Sequence, residues 1–159
     1  MDLHPRLEPI SFLVGEWSGA GIGGYPGMED FPYEQRIRFS HDGRPFLHYE
    51  SQTWITGPDG ERLRPAASEC GWWRPGPTDL SLEVLLAHPT GIVEVYVGNV
   101  FARRVEIVTD VVARTQTARE VKALKRLYGM VEDELMYAID MAAEGTALSS
   151  HLSARLSRV

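Results

Sequence analysis

The stretch LSLEVLL, residues 80–86, limits most strongly what this chain can become. Leu80, Leu82, Val84 and Leu86 fall on one side of an extended segment, with Ser81 and Glu83 on the other. That is the period of a strand with one covered face. The pattern recurs in both directions. YEQRIRFS alternates, PFLHYESQTWI is rich in aromatic and β-branched residues, and SECGWWRPGPTD reads as a strand running into a Gly/Pro turn. IVEVYVGNV places Val93, Val95 and Val97 opposite Glu94 and Tyr96. RRVEIVTDVVART follows, then DELMYAIDMA with Leu135, Tyr137 and Ile139 on one face. In the last segment Leu148, Leu152, Ala154 and Leu156 share a phase. HDGRP, GPDGE and HPTG punctuate these runs as turns. About ten short strands at this spacing predict an all-β fold, and consecutive hairpins favour an antiparallel up-and-down barrel of the lipocalin kind, in which closure removes the edges.

Two segments depart from the alternation. Leu7, Ile10 and Leu13 have helix-like spacing interrupted by Pro9, which predicts one or two helical turns at the N-terminus. AREVKALKRLYGM, residues 118–130, has Val121, Leu124 and Tyr128 at helical spacing and good helix formers throughout. Its place in a run of hairpins favours a strand. No linker or repeat divides the 159 residues, so a single domain over 1–159 is expected.

Charge and composition exclude several classes. The net charge of −6 is spread along the chain, with no basic stripe to neutralise phosphates, so no nucleic-acid partner is expected. Cys70 is the one cysteine, which rules out an internal disulfide and leaves no thiolate zinc cluster. The opening MDLHPRLEPISFL lacks the basic and apolar regions of a signal peptide, and no apolar run is long enough to span a bilayer as a helix. The expectation is a cytoplasmic protein without membrane contact. No G-x-S-x-G elbow is present, and Glu132, Asp133 and Glu134 read as solvated charge.

Two features remain. In GEWSGAGIGG, Gly15, Trp17, Gly19 and Gly21 stand at spacing two. Alternate glycines leave one strand face bare, open to another backbone, to a strong bend or to a flat ligand. A barrel-closing strand with Trp17 as a core plug is the reading favoured by physics alone. A phosphate loop is rejected, because no Lys-Ser/Thr follows. The histidines are His4, His41, His48, His88 and His151, none paired at metal-ligand spacing. His41 and His88 sit in apparent turns and are expected in solvent; His48 lies in a strand and could face either way. His151 shares a polar phase with Ser149, Ser153 and Arg155, which locally favours the surface. A haem, however, requires only one protein ligand on its proximal side.

Taken in order, these blocks resemble the nitrobindin family of small haem-binding barrels. The carriers are Gly15-Glu16-Trp17-Ser18-Gly19-Ala20-Gly21, YPGMEDFPYEQRIRFSHDGRPFLHY, ECGWWR, LLAHPTGIVEVYVG and SSHLSARLSRV, which together cover nearly the whole chain. The resemblance implies an antiparallel barrel of about ten strands, similar in outline to fatty-acid-binding proteins. It implies one haem b per chain, with His151 as the axial ligand of a ferric iron, nitric oxide binding, and isomerisation of peroxynitrite to nitrate. Gly27 stands where family members often have threonine near the haem edge, Arg119 where many have lysine that meets a propionate, and Ala67 where many have a distal histidine. A haem-free carrier of a fatty acid or other apolar ligand, and a haem sensor or nitric oxide carrier without turnover, are the alternatives. A homodimer is compatible with the sequence. If the last strand is regular, Ser149, Ser153 and Arg155 share the side of His151. Either that polar phase faces a haem-filled mouth, or a bulge turns the imidazole inward.

Overall fold

A computed structural model of the chain describes residues 1–25, 27–143 and 145–159. Among them are ten strands: β1 (Gly15–Gly23), β2 (Phe31–Ser40), β3 (Leu47–Thr56), β4 (Arg62–Pro75), β5 (Ser81–His88), β6 (Ile92–Phe101), β7 (Arg104–Arg114), β8 (Val121–Val131), β9 (Glu134–Ala143) and β10 (Ser149–Arg158). Each pairs antiparallel with the next, and β1 pairs with both β2 and β10, so the sheet closes into the expected up-and-down barrel. Among the described residues no helix is long and apolar enough to cross a membrane.

The glycine face belongs to the closing seam. Gly19 faces Leu156 and Gly21 faces Ala154 across β10. A Cβ on Gly19 would run into the carbonyl oxygen of Arg155, and one on Gly21 into that of Ser153 and the ring of Tyr33. Close backbone approach therefore accounts for both positions. Trp17 lies between them and the chain start, fully buried. Its indole N–H donates to the carbonyl of Leu13 at 2.9 Å, and Arg158 lies 4.2 Å over its ring.

The N-terminal segment Pro5–Leu13 is a 3-10 helix. Leu7, Ile10 and Leu13 are three apart, which places them on one side of a helix with three residues per turn, and all three are buried. They close one end of the barrel. Above them Phe39 and Tyr128 meet Trp73 edge-on, with ring centroids 5.3 and 5.1 Å away.

Several faces differ from simple hydrophobic counting. In β6 the side chains of Glu94 and Tyr96 point inward, while Val93 and Val97 are exposed. Leu80 and Leu148 lie just outside β5 and β10 and are half exposed. Residues 121–131 form a strand, as the hairpin context required, with Leu124, Arg126 and Tyr128 inside. An inward arginine is what blurred the period of two in that segment.

Candidate functional site

An up-and-down barrel gathers the β1–β2, β3–β4, β5–β6, β7–β8 and β9–β10 connections at one end, opposite the 3-10 helix. One group of polar side chains occupies that end, and a second lies in the barrel interior.

The first is centred on His151. The register of β10 against β9 shifts between Ser150 and Leu152, so His151 sits in a bulge. An extra residue at a bulge re-aims the side chain. Ser153 and Arg155 stay outside, Arg155 paired with Glu134 at 2.6 Å, while His151 and Leu152 are both drawn in to half-buried positions. The bulge therefore separates His151 from Ser153 and Arg155, while Ser149, ahead of the bulge, lines the same cavity as the imidazole. Its Nδ1 lies 2.9 Å from the carbonyl oxygen of Gly24, and its own carbonyl accepts from the Gly24 N–H at 2.7 Å. A carbonyl only accepts, so the network assigns the proton to Nδ1 and leaves the Nε2 lone pair free. Among the described residues Nε2 takes no hydrogen bond. Burial, the largest influence, holds the imidazole below its ordinary range; the Gly24 bond opposes this, and the charge of Arg126 adds to it. The ring is therefore neutral near pH 7.

A cavity of about 260 Å³ opens beside it, with Gly24, Tyr25, Met28, Arg119, Met141 and His151 in its walls. The Tyr25 ring lies 4.7 Å from the imidazole. Arg119 is exposed at the rim. Gly27 is not in that wall: its φ of 80° turns the chain between Tyr25 and Met28, with nothing near a would-be Cβ. Ala67 is exposed on β4, its carbonyl accepting from Thr53, and does not line this cavity.

The second group fills the barrel interior. Arg126 from β8 grips Glu69 from β4 with both amino nitrogens, at 2.7 and 2.9 Å. It also donates to Glu94 at 3.3 Å, to Tyr96 at 2.8 Å and to Tyr128 at 3.1 Å. Tyr49 donates to Glu69 at 2.6 Å and Tyr96 to Glu94 at 2.9 Å. Burial would raise the Glu69 carboxyl, but the charge and hydrogen bonds of Arg126 outweigh it and hold it down to about 2. Burial raises Tyr49, Tyr96 and Tyr128, so all three stay protonated. A neighbouring chain runs from Ser51 to Gln35, Tyr137 and Tyr33, with Tyr33 and Tyr137 hydroxyls 2.5 Å apart.

His88 corrects an expectation. It is not a solvent-exposed turn residue: it ends β5 on the inward face shared with Leu82, Val84 and Leu86, and only 16% of its side chain is exposed. Its Nε2 lies 2.9 Å from Glu94. Glu69, His88 and Glu94 bring donor atoms within 4.8 Å of one another, but Arg126 already lies on both carboxylates and supplies the positive charge there. Sequence reasoning missed this whole group. Its signal was faint: Glu94 and Arg126 each have apolar residues two positions away on both sides.

The residues around His151 fit a haem. They offer a neutral imidazole with a free Nε2, walls of methionine and tyrosine interspersed with Thr146, Ser149 and Ser150, and a cation at the rim. At about 260 Å³ the cavity lies just below the usual range for ligand pockets, about 300–1,000 Å³. A cavity of that size would enclose only part of a macrocycle.

Residues 6–158 match the family described as the THAP4-like, heme-binding beta-barrel domain. A Salinispora arenicola protein named peroxynitrite isomerase is 50% identical over 161 residues, spanning 99% of this chain and 82% of that protein. A ferric nitrobindin-like protein of Kineococcus radiotolerans is 49% identical over 172 residues, spanning 99% of this chain and 96% of its own length. Among solved structures, Rv2717c from M. tuberculosis matches with a TM-score of 0.87 and 39% identity over 99% of both chains. A barrel of the same form, matched end to end by sequence and fold, means that this chain belongs to the THAP4-like haem-binding β-barrel family.

Proposed function

We propose that this chain is a haem-dependent peroxynitrite isomerase that holds one haem b through His151, with nitric oxide as a further ligand of the same iron. The observation that carries the proposal is the pair of hydrogen bonds between His151 and Gly24, which presents a neutral imidazole with its Nε2 free. The names of the relatives at about half identity support the activity.

When bound, the haem supplies a ferric iron at which peroxynitrite rearranges to nitrate with no net electron from outside. The chain does the rest. His151 binds through Nε2, and Gly24 fixes the ring and its tautomer. Tyr25, Met28 and Met141 supply apolar surface to the cavity wall. Arg119 at the rim offers a charge to a haem propionate. Gly27 shapes the turn that carries Tyr25 and Met28.

A fatty-acid carrier needs an empty interior. Here the axis is filled by Trp73, Tyr49, Tyr96, Tyr128 and the Arg126 cluster, which leaves no room for an acyl chain. The test is a haem titration followed by absorbance, then stopped-flow measurement of peroxynitrite decay and nitrate yield. A Soret band with near-quantitative nitrate supports the proposal. Binding without accelerated decay makes the chain a carrier or sensor, and no Soret band removes the haem reading.

A further inference from the structure

His88 stands in an arrangement that the haem-holding residues do not use. It closes β5 at the same barrel end as the β9–β10 connection that leads into His151, and faces inward. Its Nε2 is fully enclosed, 2.9 Å from the Glu94 carboxylate, though off the line of a well-aligned hydrogen bond. Its Nδ1 lies 3.6 Å from Glu69, too far for a hydrogen bond, and makes none among the described residues. One nitrogen is thus braced by a buried acid while the other stays available at the mouth. A carboxylate behind a histidine orients the ring and stabilises its cation.

Charge counting leads the same way. Glu69 and Glu94 carry two negative charges and Arg126 one positive charge, all nearly out of water. With His88 neutral the group keeps a net charge of −1; with His88 protonated it is neutral. A buried unpaired charge is costly, so the group as a whole favours the imidazolium. Burial, the largest influence, pushes His88 down, but the contact with Glu94 and the charges of Glu69 and Glu94 outweigh it and hold the ring above its ordinary value. Arg126 opposes them. Tyr49, Tyr96 and Tyr128 face the same group and stay protonated. Arg119 and Glu120 lie on the connection that follows β7, and Arg114, which ends β7, pairs with Glu120.

We propose that His88 is an anion-contacting residue of the barrel mouth: an imidazolium braced by Glu94 and Glu69, whose Nδ1–H is offered to a small anion at that end of the barrel. The proposal rests on His151 being the haem ligand, with His88 as the residue that would face an anion bound to that iron. No proton leaves His88 and no bond is made or broken. Anions bind well while the imidazole is charged and poorly once it is neutral, because the mouth then loses a donor and keeps a buried charge of −1.

Fluoride, a small anion that accepts hydrogen bonds at ferric haem, is the probe. Its affinity is measured by absorbance between pH 5.5 and 9 on the haem-loaded full chain, for wild type, His88→Gln, His88→Leu and Glu94→Gln. A charge-assisted hydrogen bond contributes ~1.5–3 kcal/mol, so His88→Leu is expected to weaken fluoride about tenfold or more at pH 6. It also flattens the pH profile. His88→Gln keeps a donor and part of the affinity but loses the pH dependence. Nitrogen-15 NMR of the haem-free chain reads the same residue independently: the His88 titration lies above the ordinary histidine range and moves down in Glu94→Gln. Wild-type affinity and pH profile in both His88 variants, with intact Soret bands, overturn the proposal. A wild-type chain that takes up no haem overturns the His151 reading and this one with it, and the missing Soret band tells the two failures apart. If His88→Leu does not fold, His88→Gln and the NMR titration decide.

Discussion

His151 and Gly24 hold each other twice, Nδ1 to carbonyl at 2.9 Å and N–H to carbonyl at 2.7 Å. The pair ties the bulge in β10 to the end of β1, so the imidazole is fixed by main chain on both sides. Preorganisation of this kind lets a single side chain serve as a metal ligand, because the ring loses little freedom on binding.

The first consequence concerns removal of that ring. His151→Gly is expected to lose the Soret band on haem addition while the apo barrel keeps its far-ultraviolet circular dichroism. Free imidazole added to the variant restores the band by occupying the vacated space. A variant that takes up haem with an unchanged band shows that another residue is the ligand.

The two inward histidines tilt stability in opposite directions. Burial, the largest influence on each, lowers His151 below 6.5; His88 instead ends above 6.5, because its carboxylate neighbours outweigh burial. For His151 the unfolded chain takes a proton that the folded chain resists. Apo stability therefore falls as pH drops from 6.5 through the folded-state value. For His88 the folded chain holds the proton more tightly. Its contribution is complete below 6.5 and is lost as pH rises through the raised folded value. Urea midpoints measured from pH 5 to 9 are expected to decline on both sides. His151→Gln removes part of the acid decline and His88→Gln part of the alkaline one. Unchanged profiles in both variants contradict the assignment.

Arg126 and Glu69 add a steeper acid limb. A carboxyl held at about 2 against an ordinary 4.5 contributes stability that is present above 4.5 and lost as pH falls towards 2. At about 1.4 kcal/mol per unit this amounts to ~3 kcal/mol. Arg126→Leu strands two buried carboxylates and is expected to cost ~3–5 kcal/mol in urea unfolding at pH 7, with Arg126→Lys between it and wild type because an ammonium cannot make the two-pronged contact. A loss under 1 kcal/mol in Arg126→Leu shows that the network is slack.

Most of the barrel was legible because most strands bury one apolar set. In β9, Leu135, Tyr137 and Ile139 alternate and are buried. The reading failed where the interior is ionic. Glu94 turned β6 over relative to its valines, and Arg126 disguised β8 as a helical repeat. Both are stabilised by partners far away in sequence, which no local period reveals. His151 was hidden differently: a bulge breaks the period of two, so its neighbours in phase, Ser153 and Arg155, face away from it. His88 was assigned to its turn because Pro89 and Gly91 follow it, although it is still the last inward residue of β5.

Two glycines separate seam from turn. A Cβ on Gly19 meets the Arg155 carbonyl oxygen and lies 2.9 Å from the Leu156 Cα, both backbone, so Gly19→Ala must part β1 from β10. Overpacking of this kind costs ~1–3 kcal/mol, and a seam that cannot move sideways lies at the upper end. Gly27 has open space around it but a φ of 80°, so Gly27→Ala pays only for the left-handed backbone, about 1 kcal/mol. Urea unfolding should rank Gly19→Ala well below Gly27→Ala. Haem titration should leave Gly27→Ala close to wild type, because its side chain is absent from the cavity wall. Equal losses at the two positions would falsify the assignment of Gly19 to the closing seam.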